Sequence, residues 1–334
     1  MKRIASFFLA LALAFSLTAC TVPVEKADDG KIQIVATLFP YYDFARAIVG
    51  DRADVTLLLS PGREAHSFEP TPLDAVTISE SDVFLYNGGE GEYWVDSMLG
   101  AAGENIAVIA RMMDYVDALD EEYVEGMQGA DGHDHDHEHG SHDDHDHDHE
   151  DEHDSDEIEY DEHIWTSPKN AVVLCRAVCD AICRADAENA AFYRANCENY
   201  CAQLEDLDAR FAALCESAPR RLLIFADRFP MLYFCREYGL DYRAAFHGCS
   251  GDTEPSLATI KFLIDKVEDE NIPVVYTIDF GTKKVAAVVS ECTGAAIETL
   301  YSMQTVSRAD FDAGETYLTL MERNFEALRK GLNA

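Results

Sequence analysis

Residues 187–216 read AENAAFYRANCENYCAQLEDLDARFAALCE, with no glycine and no proline, and Pro219 follows shortly after. The spacing predicts one helix over the whole stretch, about 45 Å long at 1.5 Å per residue. A rod of that length can join two lobes as a stiff spine. Just ahead of it, Thr166-Ser167-Pro168 sets a hydroxyl cap before a proline at the first helical position. Ala171, Leu174, Cys175, Val178 and Ile182 then recur at helical spacing to about Arg184.

On either side of these helices the pattern becomes strand–helix alternation. Before them, strands are expected at 31–37, 55–59, 83–86 and 106–109, with helices at 40–50, 72–80 and 92–99. After them, strands are expected at 221–226, 241–246, 273–278 and 296–300, with helices at 229–238, 255–270, 282–293 and 314–331. Such alternation builds parallel sheets covered by helices. The expected fold class is α/β, with two (β/α) lobes of parallel sheet joined by a long rigid spine helix. The expected organisation is a leader at 1–20, a tether at 21–30 and a first lobe at 31–165. A helical linker and spine at 166–218 and a second lobe at 219–334 complete it.

The chain has 334 residues, 48% hydrophobic and 27% charged, which excludes global disorder. Its 63 acidic and 26 basic residues leave a formal charge of −37, which repels phosphate backbones and argues against a nucleic-acid partner. Lys2 and Arg3 precede an apolar tract at 4–17, and the tract ends in Leu17-Thr18-Ala19-Cys20. That tetrapeptide resembles the lipobox of bacterial lipoproteins, which implies cleavage before Cys20 and a lipid on its sulfur. The expected location is therefore outside the cytoplasmic membrane, anchored to it but not spanning it.

Nine further cysteines all lie in the second half of the chain. Cys175, Cys179 and Cys183 share one helical ridge, and Cys197 and Cys201 another. The odd count argues against a complete disulfide framework, and without a CxxC pair no cysteine zinc site is signalled. The cysteines are expected to serve as small buried apolar residues, with one or two disulfides between neighbouring helices left open.

Residues 131–162 hold seventeen Asp or Glu and no Lys or Arg. Within them stand His133, His135, His137, His139, His142, His145, His147, His149 and His153. This loop, taken as 131–157, cannot bury a core and is expected to be disordered and to collect metal ions loosely. Outside it lie His66, His163 and His247. His66 follows a strand, and His163 precedes the capped helix. Asp227 and Asp279 each follow an expected strand of the second lobe. Ligand crevices of open α/β sheets lie beyond the carboxyl ends of strands. His66, His163, Asp227 and Asp279 are thus expected to meet in the cleft between the lobes, as imidazole and carboxylate ligands for a first-row divalent metal. His247 is expected to be a loop residue.

Glu64-Ala-His-Ser-Phe-Glu-Pro-Thr-Pro72 resembles the first histidine motif of zinc/manganese substrate-binding proteins of ABC transporters. Tyr160-Asp-Glu-His-Ile-Trp-Thr-Ser-Pro-Lys-Asn-Ala171 resembles the second, and the His-rich loop between them resembles that of the zinc type. The similarity continues to Gly314-Glu-Thr-Tyr-Leu-Thr-Leu-Met321. It implies a protein that captures Zn²⁺, with Mn²⁺ or Fe²⁺ as alternatives, and delivers it to an ABC transporter membrane permease. It implies His66 and His163 as ligands. The family's third ligand is usually His or Glu after a strand; here Ala226-Asp227-Arg228-Phe229-Pro230 holds neither, and Asp227 is taken as the substitute. Asp279 matches the fourth, acidic position. A monomer is expected. A lipid-anchored zinc buffer or adhesin is a further reading. A hydrolase using Glu64, Glu69 or Glu162 as base lacks any supporting motif, since no HExxH is present.

Overall fold

In the computed structural model, which describes residues 30–64, 68–128, 159–248 and 254–333, the two strand–helix runs form two four-stranded parallel sheets. The first holds β1 (Gln33–Ala36), β2 (Asp54–Leu57), β3 (Val83–Tyr86) and β4 (Val108–Arg111) in the order β2-β1-β3-β4. The second holds β5 (Leu222–Phe229), β6 (Asp241–His247), β7 (Val274–Ile278) and β8 (Ala296–Leu300) in the order β6-β5-β7-β8. Each sheet thus reverses direction between its first and third strands, and a crevice opens at such a point. Strands covered on both faces need continuous apolar sequence. All five residues of β7, Val-Val-Tyr-Thr-Ile, are buried accordingly.

In the first sheet's half, α1 (Phe39–Val49), α2 (Pro72–Ser79) and α3 (Trp94–Ala102) follow successive strands. Thr71 and Asp74 close a reciprocal capping box at the start of α2. Next come α4 (Pro168–Ala185) and α5 (Ala190–Ser217). Ser167 caps α4 as expected, accepting from the Asn170 N–H. The 28 residues of α5 span about 42 Å. It starts a few residues later than the sequence suggests, because Asp186 accepts from the Asn189 backbone and side chain and from the Tyr193 hydroxyl, forming a tight link. The second half adds α6 (Leu232–Tyr238), α7 (Leu257–Asp269), α8 (Lys284–Thr293), α9 (Arg308–Ala313) and α10 (Tyr317–Leu332). The expected helix at 314–331 begins only after α9 has ended at Gly314, whose φ of 78° breaks the run.

One apolar core runs through the molecule. Ile34 and Val83 of the first sheet, Leu204 and Phe211 of α5, and Phe225 and Tyr276 of the second sheet belong to it. Asp43, buried on α1, ties three elements together: it accepts from the Tyr200 hydroxyl of α5 at 2.7 Å, the Tyr317 N–H of α10 at 2.9 Å and Arg46 at 2.8 Å. The halves also share backbone bonds, Gly62 N–H to Val306 O at 2.8 Å and Phe39 N–H to Gln304 O at 3.3 Å.

Among the described residues, seven cysteines are buried, Cys292 is exposed, and all are free thiols. No described helix is long and apolar enough to cross a membrane. Cys20, His66 and the nine histidines of the loop lie outside the described residues.

Candidate metal centre

His163 is delivered by a short antiparallel pairing. Asp120 bridges Tyr160, and the Glu121 and Asp161 N–H groups donate to Glu159 O and Leu119 O at 2.8 and 2.9 Å. Tyr233 of α6 braces this pairing from the other half, donating to Asp161 O at 2.8 Å and accepting from Leu119 N–H at 3.0 Å. His163 is 1% exposed. Its backbone N–H donates to Asp161 Oδ1 at 2.8 Å, and its ring Nδ1 lies 3.1 Å from the same oxygen. The edge of Trp165 packs against the ring at 5.6 Å. Opposite it, a Cβ on Gly248 would stand 3.0 Å from the ring Cε1, so only glycine fits there. A carboxylate on Nδ1 fixes the tautomer that leaves Nε2 as a metal ligand. Burial alone would lower the His163 pKa, but the charge and hydrogen bond of Asp161, with Glu162 and Glu121 behind, raise it.

The ring faces a cavity of about 20 Å³ lined from both halves of the molecule, by Glu64, His163, Arg228, Ile278, Phe280 and Ser302 among others. That is room for about one water-sized body, not for an organic substrate. Arg228 crosses the cleft and donates to Glu64 Oε1 at 2.8 Å. Glu64 stands two residues before His66.

Asp227 lies near the end of β5 and Asp279 directly after β7. Asp227 was expected to follow its strand; instead β5 continues to Phe229, with a register shift against β6 between Phe225 and Arg228. A shift of this kind re-aims side chains. It leaves Arg228, not Asp227, lining the cavity before His163. Asp227 Oδ1 accepts from the Arg228 N–H at 2.9 Å and Oδ2 from the Ile278 N–H at 3.3 Å. A Cβ on Gly281 would collide with Oδ2, so this glycine admits the carboxylate. Burial raises the Asp227 pKa, partly offset by those amides. Asp227 lines an adjoining cavity of about 60 Å³ that shares Glu64, Arg228 and Phe280 with the first.

Asp279 does follow β7. Its Oδ1 accepts from the Ser302 N–H at 3.2 Å, and burial pushes its pKa up to about 6 against that hydrogen bond. It lines a third cavity, of about 170 Å³, with Lys283 and Asp310. The His163 cavity is lined by Ile278 and Ser302, whose N–H groups hold Asp227 and Asp279, and not by the two carboxylates themselves. Among the described residues, the one group of three or more potential ligands within metal-sharing distance is made of cysteines.

His247 ends β6, with Nδ1 2.8 Å from Glu121 Oε1 and its ring against Tyr123. Sequence reasoning missed Arg228 and Asp161. Asp161, two residues ahead of a candidate ligand histidine, is the signal that could have been found.

The family described as zinc-uptake complex component A, periplasmic (ZnuA), matches this chain over residues 34–331. The high-affinity zinc uptake system protein ZnuA of Bacillus subtilis is 30% identical, with 99% of this chain and 98% of that protein covered. The zinc-binding lipoprotein AdcA of Streptococcus pneumoniae is 29% identical; 99% of this chain aligns to 61% of AdcA, so the chain spans about three-fifths of that relative. Among solved structures, the metal-dependent lipoprotein YcdH of B. subtilis has a TM-score of 0.72 at 29% identity, covering 90% of this chain and 100% of that one. The Zn(II)-bound ZnuA-like domain of S. pneumoniae AdcA has a TM-score of 0.71 at 24% identity, covering 91% and 100%, a likeness of fold. The match runs from the first strand into the last helix: the chain belongs to the ZnuA family of zinc-uptake components.

Proposed function

We propose that this protein captures Zn²⁺ outside the cytoplasmic membrane and hands it to the membrane permease of an ABC transporter. The observation that carries this reading is His163, buried at an ion-sized cavity between the two sheets, with Nδ1 held by Asp161 so that Nε2 can bind metal. His66 supplies the second imidazole from the loop that also carries Glu64. Asp279 offers a carboxylate from the second sheet, and Asp227 does so once its two backbone contacts open. No bond is made or broken in this role; the family is one of metal-binding transport components, and we propose no enzymatic activity.

The domain plan that goes with this role is a lobe at 31–165, a linker and spine at 166–218 and a lobe at 219–334. The nine loop histidines act as an auxiliary collector of loosely held metal, and Cys20 carries the lipid that keeps a monomeric protein at the membrane. One core continuous through α4, α5 and both sheets resists wide opening. Release therefore works through small movements at the cleft. Calorimetry with Zn²⁺ in excess Mn²⁺ tests the reading. One tight zinc site that manganese cannot displace, lost in His163→Ala, is expected; tight binding undiminished in that variant would overturn it.

A further inference from the structure

The spine carries a second constellation that the cleft does not use. Cys175 lies on α4, Cys197 and Cys201 lie one turn apart on α5, and the three sulfurs all fall within 4.8 Å of one another. Cys197 and Cys201 are separated by 3.9 Å. Cys179 stands one turn beyond Cys175 on the same face of α4. All four are at most 3% exposed. Thiolates on a tetrahedral zinc with bonds of 2.3 Å stand about 3.8 Å apart, so the cluster needs only a small contraction to reach that geometry. Two cysteines at i, i+4 on each of two packed helices reproduce the convergence that a CxxC pair gives in a loop. That is why the sequence alone did not signal it.

We propose that Cys175, Cys197 and Cys201, with Cys179 beside them, form a closed structural thiolate site for Zn²⁺ where α4 packs on α5. Soft thiolates select such thiophilic ions, and a site with no open position is structural, not catalytic. In this structure the Cys197 thiol donates to Cys175 O at 3.8 Å and the Cys201 thiol to Val172 O at 3.9 Å. Metal binding releases those protons. The ion would clamp α4 to α5 and stiffen the spine.

The test uses the full chain, isolated without reductant and washed with EDTA at neutral pH to strip ions held by histidine and carboxylate. The thiols are then titrated with an organomercurial while a chromogenic chelator reads released zinc. One equivalent of zinc should survive EDTA and leave in step with thiol modification. It should persist in His163→Ala and Cys292→Ser and be lost in Cys197→Ala and Cys201→Ala. A second readout needs no variant: protein from cells grown with Co²⁺ should keep, after EDTA, a sulfur-to-cobalt charge-transfer band that histidine and carboxylate sites do not produce. Zinc-free protein with every thiol titratable and no such band would overturn the proposal in favour of plain packing. A deficit of two thiols without zinc would overturn it in favour of a disulfide.

Discussion

The two sheets share one strand order, yet their edges at the cleft carry opposite chemistry. The first half presents His163, an imidazole backed by the Asp161 carboxylate and fixed by a β-bridge. The second half presents the Arg228 guanidinium from β5, while Asp227 and Asp279 accept from the backbone N–H groups of Ile278 and Ser302. Topology brings strand ends to a crevice; it does not decide which side chain a strand end turns into it. In β1 and β3 the ladder runs regularly from Ile34↔Val83 to Ala36↔Leu85. In β5 the register shifts just before the cleft, and the chemistry changes with it.

Breaking the stronger side should have the largest effect. His163→Ala should weaken zinc binding on the order of 1,000-fold, about 4 kcal/mol, read by competition with a zinc chelator. Asp161→Asn should weaken it about 10- to 100-fold while the fold stays intact, as expected of a group that acts through its neighbour. Unchanged affinity in both would remove the first half's claim to the site.

Asp43 tests how firmly the halves are joined. Asp43→Ala leaves the Tyr200 hydroxyl and the Tyr317 N–H without their acceptor in the core, and should cost about 3 kcal/mol in urea unfolding. A loss below about 1 kcal/mol would mean that α1, α5 and α10 are held by apolar packing alone.

Glu92 sharpens the comparison through pH. Burial raises its pKa to about 7, against the hydrogen bond from the Gly88 N–H. The folded state therefore keeps this proton to higher pH than the unfolded chain does. Stability should fall as pH rises from about 4.5 towards 7, then stop changing on this account. Glu92→Gln should remove that slope and raise stability at pH 8 by about 2 kcal/mol. An unaltered slope in thermal melts between those pH values would contradict it.

The smallest expected effect lies on the weaker side. Arg228→His exchanges a permanent cation for a potential ligand and releases Glu64 from its ion pair. Zinc affinity should rise about tenfold, or 1.4 kcal/mol, in the same competition assay. A fall would show that the Arg228–Glu64 pair holds the cleft in its binding form.

Much of the molecule was legible in sequence because local chemistry dominates there. Apolar runs such as Val83–Tyr86 can only be strands of a covered sheet, and the Ser167-Pro168 start of α4 has one sensible reading. His163, in the Asp-Glu-His motif, lines the cavity between the two halves. That β5 runs past Asp227 could not be read locally, because it depends on how β5 pairs with β6, a segment that begins fourteen residues later. The cysteine ridges could each be read from their spacing, but not that they face one another.

The sequence alone determined most of the strands and helices, the long spine and the histidine motif, which follow from periodicities and caps within a few residues. Only the tertiary structure decided that Arg228 stands before His163, that Asp227 turns to the end of β7, and that three thiols from two helices meet. Those outcomes depend on pairing register and helix packing. Both are settled by contacts between segments distant in the chain, where no local pattern records them.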